Sequence, residues 1–145
     1  MKLSIISESI EFKVINNNLD IISKEVSETF PAGPRRNEAL QALQPSKWNN
    51  VIAAFENGQI VGVASFWKDA DTENLDGVKP GEYIRIRDIG TMKNGVGKLL
   101  VQKVEEYASK LNAGVSAISL SDATRFWESL GFTNAVGMTY YKPLI

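Results

Sequence analysis

The chain has 145 residues, a length that one domain fills while burying roughly two-thirds of its unfolded surface. Hydrophobic residues make up 43% and charged residues 23%, an ordinary folded composition, but His and Cys are absent, which excludes serine–histidine triads, thiol nucleophiles, disulfides and imidazole or thiolate metal sites. With 16 basic against 17 acidic residues the net charge is −1, and neither sign gathers into an arm or tail, so nucleic acid is not an expected partner. The start, charged already at Lys2 and Glu8, does not read as a secretory signal. No window approaches ~18 apolar residues. A single cytoplasmic domain over 1–145, without metal or membrane contact, is the expectation.

In chain order, a strand is expected at about 10–15. Two short helices follow: Leu19, Ile22, Val26 and Phe30 sit at helical spacing, as do Ala39, Leu40 and Leu43 after Pro34. From Val51 the texture changes to two β-like runs, 51–55 and 60–67, around Asn57-Gly58, the sequence of a tight hairpin. Residues 68–82 read as a polar, solvated loop. Its acidic spacing resembles a calcium loop begun at Asp69, but Asn74 and Pro80 stand where that loop needs Gly and Glu.

The strand 83–89 carries a phase slip. Ile84 and Ile86 share one parity and Ile89 has the other, which a β-bulge around Arg87-Asp88 produces; the alternative is a strand that ends at Arg87. After a turn at Gly90-Thr91, Lys93-Asn94-Gly95-Val96-Gly97-Lys98 opens an amphipathic helix with Val96, Leu100, Val104, Tyr107 and Leu111 on one face, stopped by Asn112-Ala113-Gly114. A buried-type strand at 115–120 completes a βαβ unit, so these two strands should be parallel neighbours. Ser121 or Asp122 then caps a short helix, 123–130, ended by Gly131, and strands at 132–136 and 138–142 close the chain.

Glycines before a helix let the backbone approach a ligand, and the first helical N–H groups, unpaired and at the positive end of the dipole, favour a phosphate. The spacing is neither that of a Walker A loop, since Leu99 follows Lys98, nor the Rossmann fingerprint, which needs Gly where Leu100 stands.

The succession of strand 83–89, Gly95-Val96-Gly97-Lys98-Leu99-Leu100, helix, strand 115–120, the run Arg125-Phe126-Trp127-Glu128-Ser129-Leu130-Gly131-Phe132 and Tyr140-Tyr141-Lys142-Pro143 resembles the GNAT superfamily of N-acetyltransferases. That family's pattern is Arg/Gln-x-x-Gly-x-Gly/Ala after a bulged fourth strand, followed by an FY-x-x-x-GF helix end. The resemblance implies an α/β (α+β) fold with a central mixed, mostly antiparallel sheet, one splayed parallel strand pair and flanking helices.

It also implies acetyl-CoA as cosubstrate and transfer to a primary amine, of a small molecule or of a peptide or protein, by direct attack. The loop from Met92 through Lys93, Asn94, Gly95, Val96, Gly97 and Lys98 would hold the coenzyme A pyrophosphate. The backbone of Arg87, Asp88 and Ile89 would pair with the pantetheine arm and offer an N–H to the thioester carbonyl. Asp88 ranks first and Glu82 second as general base.

Two departures stand out. Met92 falls at the family's Arg or Gln, leaving Lys93 to supply charge. Trp127 falls at its tyrosine acid, leaving Ser121, Tyr140 and Tyr141 as substitutes. Both departures favour a rival reading, a degenerate, non-catalytic CoA-binding or interaction module. A second rival, acylation of a nucleotide or nucleic-acid amine, rests on Arg35, Arg36, Arg85 and Arg87. Buried-strand arginines such as Arg85 need partners, which an anionic substrate could supply. Such folds often pair C-terminal strands between subunits, so a homodimer is possible.

Overall fold

Asn57 and Gly58 both take positive φ, 54° and 80°, the backbone of a type I′ turn, and the hairpin expected from the sequence forms around them. Its strands, β2 (Asn49–Glu56) and β3 (Gln59–Trp67), stand in a sheet whose other members are β1 (Ile10–Val14), β4 (Asp71–Thr72), β5 (Glu82–Thr91), β6 (Gly114–Ile118), β7 (Thr133–Asn134) and β8 (Thr139–Lys142). Helices α1 (Leu19–Thr29) and α2 (Pro34–Ala42) precede the hairpin, α3 (Val96–Lys110) joins β5 to β6, and α4 (Thr124–Ser129) leads into β7. The computed structural model describes residues 10–15, 17–44, 49–67, 69–73, 76–119 and 123–144. The expected cap at Ser121 or Asp122 lies outside the described residues, as does the candidate acid Ser121.

The eight-stranded sheet has the order β1-β2-β3-β5-β6-β8-β7, with β4 attached to β5. Every pairing is antiparallel except β5 with β6, which α3 connects. The fold class expected from the sequence is therefore the one observed. One face of the sheet is covered by α3, whose Val96, Leu100, Val104 and Ala108 are fully buried against Ala64, Phe66, Ile84 and Ile86. These helix residues recur every four positions, so they stack along one stripe. Leu111, expected to extend that stripe, lies beyond the last turn and is 40% exposed. The opposite face is covered by α1 and α2, where Val26, Phe30, Ala39 and Leu43 meet Val51, Ala53 and Val63.

Three expectations change. The loop 68–82 contains the short strand β4, and its last residue, Glu82, already belongs to β5. Strand β6 ends at Ile118, so Ser119 of the expected strand stands beyond it, and Leu120 lies outside the described residues. Gly90 and Thr91 form no turn: they continue β5, paired with Val63 and Gly62. Gly90 is required for another reason, because a Cβ there would lie inside the backbone of Ala39 on α2. The glycine thus lets α2 lie directly on the strand, at the height where the site forms. Gly90→Ala forces backbone against backbone, with no flexible side chain to yield. It is expected to cost about 3 kcal/mol in chemical denaturation.

Candidate active site

Along β3 the register with β5 runs Val63↔Gly90, Ala64↔Ile89, Ser65↔Asp88 and then Phe66↔Ile86. Arg87 is the extra residue, so the bulge read from the parity slip is present and the strand does not end at Arg87. On the other side of β5, the parallel pairing with β6 runs from Tyr83↔Gly114 to Ile86↔Ala117 and stops there. Arg87 therefore stands opposite no residue on either neighbour. From Arg87 onward β5 and β6 part, which leaves one edge of β5 open inside the sheet. The bulge also lets Ile86 and Ile89 both serve the α3 core.

The parting strands open a cleft of about 670 Å³, within the usual range for small-molecule sites. One wall is β5 itself, from Ile86 to Ile89. The opposite wall is Ala117 and Ile118 of β6 with Phe126 and Trp127 of α4, and the upper end is Asn94, Gly95, Gly97 and Lys98. Arg35 and Glu38 of α2 border it from the other face of the sheet. Gly95 caps α3 with φ 92°, a left-handed conformation that costs glycine little. The first bond of α3 runs from Leu99 N–H to Gly95 O at 3.4 Å. The amides of Val96, Gly97 and Lys98 thus have no carbonyl of their own helix to meet, and the positive end of the helix faces the cleft.

Of the residues expected in this site, Arg87, Asp88, Ile89, Asn94, Gly95, Gly97 and Lys98 line the cleft together. Three loop side chains do not. Met92 packs between the two cores, and its N–H donates to Val61 O at 2.8 Å. Lys93 Nζ is bonded to Glu56 of β2, and Val96 is fully buried beneath the loop.

Asp88 is partly buried, and burial raises its carboxyl above the ordinary 3.8 against the lowering effect of Arg87. Glu82 is exposed at the far end of β5, opposite Thr72, roughly 20 Å of strand from Asp88. Tyr140 lies opposite Ala117 in β8, 4% exposed, with its hydroxyl turned to Glu128 Oε2 at 3.5 Å. Burial, the negative charge of Glu128 and that contact all hold its proton on. Trp127, in the place of the family's tyrosine, borders the cleft while its ring stands edge-on to Phe126 and Phe132, each 5.0 Å between centroids.

Two features were out of reach of sequence reasoning. Glu73, in the loop read as solvated, accepts from Arg85 Nη2 at 2.6 Å and from Ser116 Oγ at 2.7 Å. The two charged side chains are 14% and 18% exposed. Arg85 thus finds its partner inside the protein, and the loop is pinned across β5 and β6 beside the cleft. Arg35 reaches from α2 to Thr91 O at 3.3 Å and Asn94 Oδ1 at 2.9 Å. Neither contact has a local sequence signal, since the partners are far apart in the chain. Among the described residues no helix is long and apolar enough to cross a membrane, and no acidic cluster is arranged to hold a metal ion.

A mixed sheet opened at one parallel pair, with a glycine-started helix at the opening, is the architecture of an acetyltransferase. The family model described as "Acetyltransferase (GNAT) family" matches residues 17–132, and the chain belongs to that family. No curated protein sequence matches the chain. Solved structures match in fold. The aminoglycoside N-acetyltransferase AAC(6')-Iy in complex with CoA is 15% identical, with TM-score 0.63 over 94% of this chain and 95% of that one. Arabidopsis thaliana NAA60 in complex with a bisubstrate analogue is 17% identical, with TM-score 0.59 over 94% and 99%. A mutant AtaT toxin bound to the C-terminus of the antitoxin AtaR and acetyl-CoA is 15% identical, with TM-score 0.67 over 94% of each chain.

Two outcomes are expected. Glu73→Ala leaves Arg85 and Ser116 without their acceptor and should cost about 1–3 kcal/mol in urea denaturation. The second follows from Asp88, whose pKa in the folded chain lies above 3.8. Its contribution to stability is full below that value and is lost as pH rises through the raised pKa. Asp88→Asn cannot ionise, so it should raise Tm at neutral pH, with the gain fading as pH falls toward 3.8.

Proposed function

We propose that this chain transfers the acetyl group of acetyl-CoA to a primary amine by direct attack, the acceptor being a small molecule or a peptide or protein amine. The observation that carries the reading is Arg87, unpaired on both sides at the mouth of a cleft whose upper end is the amide-rich start of α3. The cleft suits the coenzyme: free helix N–H groups for a pyrophosphate, an open strand edge for an extended amide-bearing arm, and small or apolar side chains at Ala117, Ile118 and Phe126 opposite that edge. The CoA, acetyl-CoA and bisubstrate analogue named with the three similar structures support the same reading.

Acetyl-CoA supplies an electrophilic thioester carbonyl; the protein's part is to hold and polarise it. Amides of Asn94 through Lys98 anchor the phosphates, and the β5 edge from Arg87 to Ile89 aligns the arm. A backbone N–H of that edge donates to the thioester oxygen, where negative charge grows as the amine attacks, so the bond is stronger in the transition state than before it. Asp88 takes the ammonium proton, directly or through a water. Burial raises its pKa, which makes it a better base than an exposed carboxylate. A thiolate with an ordinary pKa near ~8.5 leaves without a strong acid. This removes the need for a hydroxyl at Trp127, and Tyr140, turned to Glu128, is not assigned that role. Glu82, at the other end of β5, is not assigned the base's role.

Transfer to a nucleotide amine loses much of its support, because Arg85 is held by Glu73 and Arg36 Nη1 donates to Ser27 O at 3.4 Å.

Acetyl-CoA at saturating concentration is expected to raise Tm, and a panel of amines and peptides to release free thiol from it. No thermal shift overturns the reading. A shift without thiol release on any acceptor supports the non-catalytic module instead, which Met92 and Trp127 favour. Asp88→Asn should lower kcat by about 10²–10⁴ with acetyl-CoA affinity unchanged, and should abolish the rise of kcat/KM with pH through the Asp88 titration.

A further inference from the structure

We infer that Arg35, presented by α2, is the side-chain cation that binds the coenzyme pyrophosphate, replacing the charge missing at Met92; this rests on the reading of the cleft as an acetyl-CoA site. The residues that lead into the loop offer no charge to the cleft. Met92 has no donor on its side chain and is packed between the two cores, and Lys93 is committed to Glu56. The cations that do line the cleft are Arg35, Arg87 and Lys98. Arg87 sits on the bulge, at the thioester end, and Lys98 stands on α3 with its ammonium on a flexible stem.

Arg35 is different in kind. Its Nη1 donates to Thr91 O at 3.3 Å and its Nη2 to Asn94 Oδ1 at 2.9 Å, so the guanidinium spans the loop from its entry to the residue before Gly95. Both acceptors are neutral, so they orient the group without cancelling its charge. A guanidinium has five N–H donors in a planar fork, and those left over remain for an oxyanion. Glu38, three residues further along α2, borders the same cleft. Against its single negative charge stand Arg35, Lys98 and the positive end of α3, so the loop end stays a site for an anion. The planar fork, held at two points before a ligand arrives, loses little side-chain freedom on binding. The position also explains why α2 must lie on β5 at Gly90: Arg35 starts from the first turn of a helix whose Ala39 backbone touches that glycine.

The test is calorimetry with CoA and 3′-dephospho-CoA, together with ligand-observed NMR with S-acetyl-pantetheine, which lacks the pyrophosphate and needs only millimolar affinity to be seen. Arg35→Ala is expected to weaken CoA and 3′-dephospho-CoA alike, about ten- to hundredfold, and to leave S-acetyl-pantetheine unchanged. Unchanged CoA affinity overturns the inference while leaving the acetyl-CoA reading intact. Equal loss for all three ligands also overturns it, because the substitution then disturbs the whole cleft and not a contact to the pyrophosphate. A loss seen with CoA but not with 3′-dephospho-CoA overturns it as well, moving Arg35 to the 3′-phosphate. Wild-type protein that binds none of the three overturns both readings. Should Arg35→Ala lower Tm too far to measure, Arg35→Gln, which keeps a polar side chain of similar reach without the charge, gives the same comparison.

Discussion

One surplus residue in one strand governs the centre of this molecule. A strand alternates its side chains with period two, so Ile86 and Ile89 cannot both reach the α3 core unless a residue between them is left out of register. Arg87 is that residue, skipped by β3 and lying past the last partner in β6. The same bulge that satisfies the core therefore bends β5 away from β6 and opens the sheet. Because the opening is made of backbone, it presents N–H and C=O groups that the fold itself does not consume. The connection α3 begins at the top of the opening, and its unpaired amides face the same space.

The elements around this opening hold it from both faces. On one side α3 buries a continuous apolar stripe. On the other, α2 lies against Gly90 closely enough that Arg35 reaches the loop before Gly95. Below, Glu73 ties Arg85 and Ser116 of adjoining strands, which joins β5 to β6 by side chains just where their backbone pairing is about to end. The charges near the cleft are thus sorted: Arg85, Arg36 and Lys93 serve the fold, while Arg35, Glu38, Arg87, Asp88 and Lys98 border the cleft.

How much of this was legible depended on the range of each signal. The hairpin at Asn57-Gly58, the stripe of α3 and the bulge at Arg87 are written in residues close together in the chain, and each appears where its pattern places it. Readings that needed a distant neighbour fared differently. Gly90 looked like a turn because its real reason, the backbone of Ala39, lies far upstream. Leu111 fits the helical period but falls past the final turn, where the core has ended. The loop 68–82 is polar enough to be solvated, yet Glu73 is drawn in by an arginine that the sheet would otherwise leave unpaired. The sequence ranks Asp88 ahead of Glu82 as base, and the point at which β5 leaves β6 separates them in space: Asp88 lines the cleft while Glu82 stands at the far end of the strand.

The sequence by itself determined the family, the order of strand, bulge, loop and helix, and the exclusion of imidazole and thiol chemistry, because these depend on composition, local periodicity and turn geometry. Tertiary structure alone decided which side chains meet at the cleft: that Lys93 turns to Glu56 and Met92 to the core, that Tyr140 faces Glu128, and that Arg35 crosses to Asn94. The physical reason is range. A bulge or helix start is set by a few neighbouring residues, whereas the partner of a charge is set by whichever distant residue the packing of the sheet brings within hydrogen-bond reach.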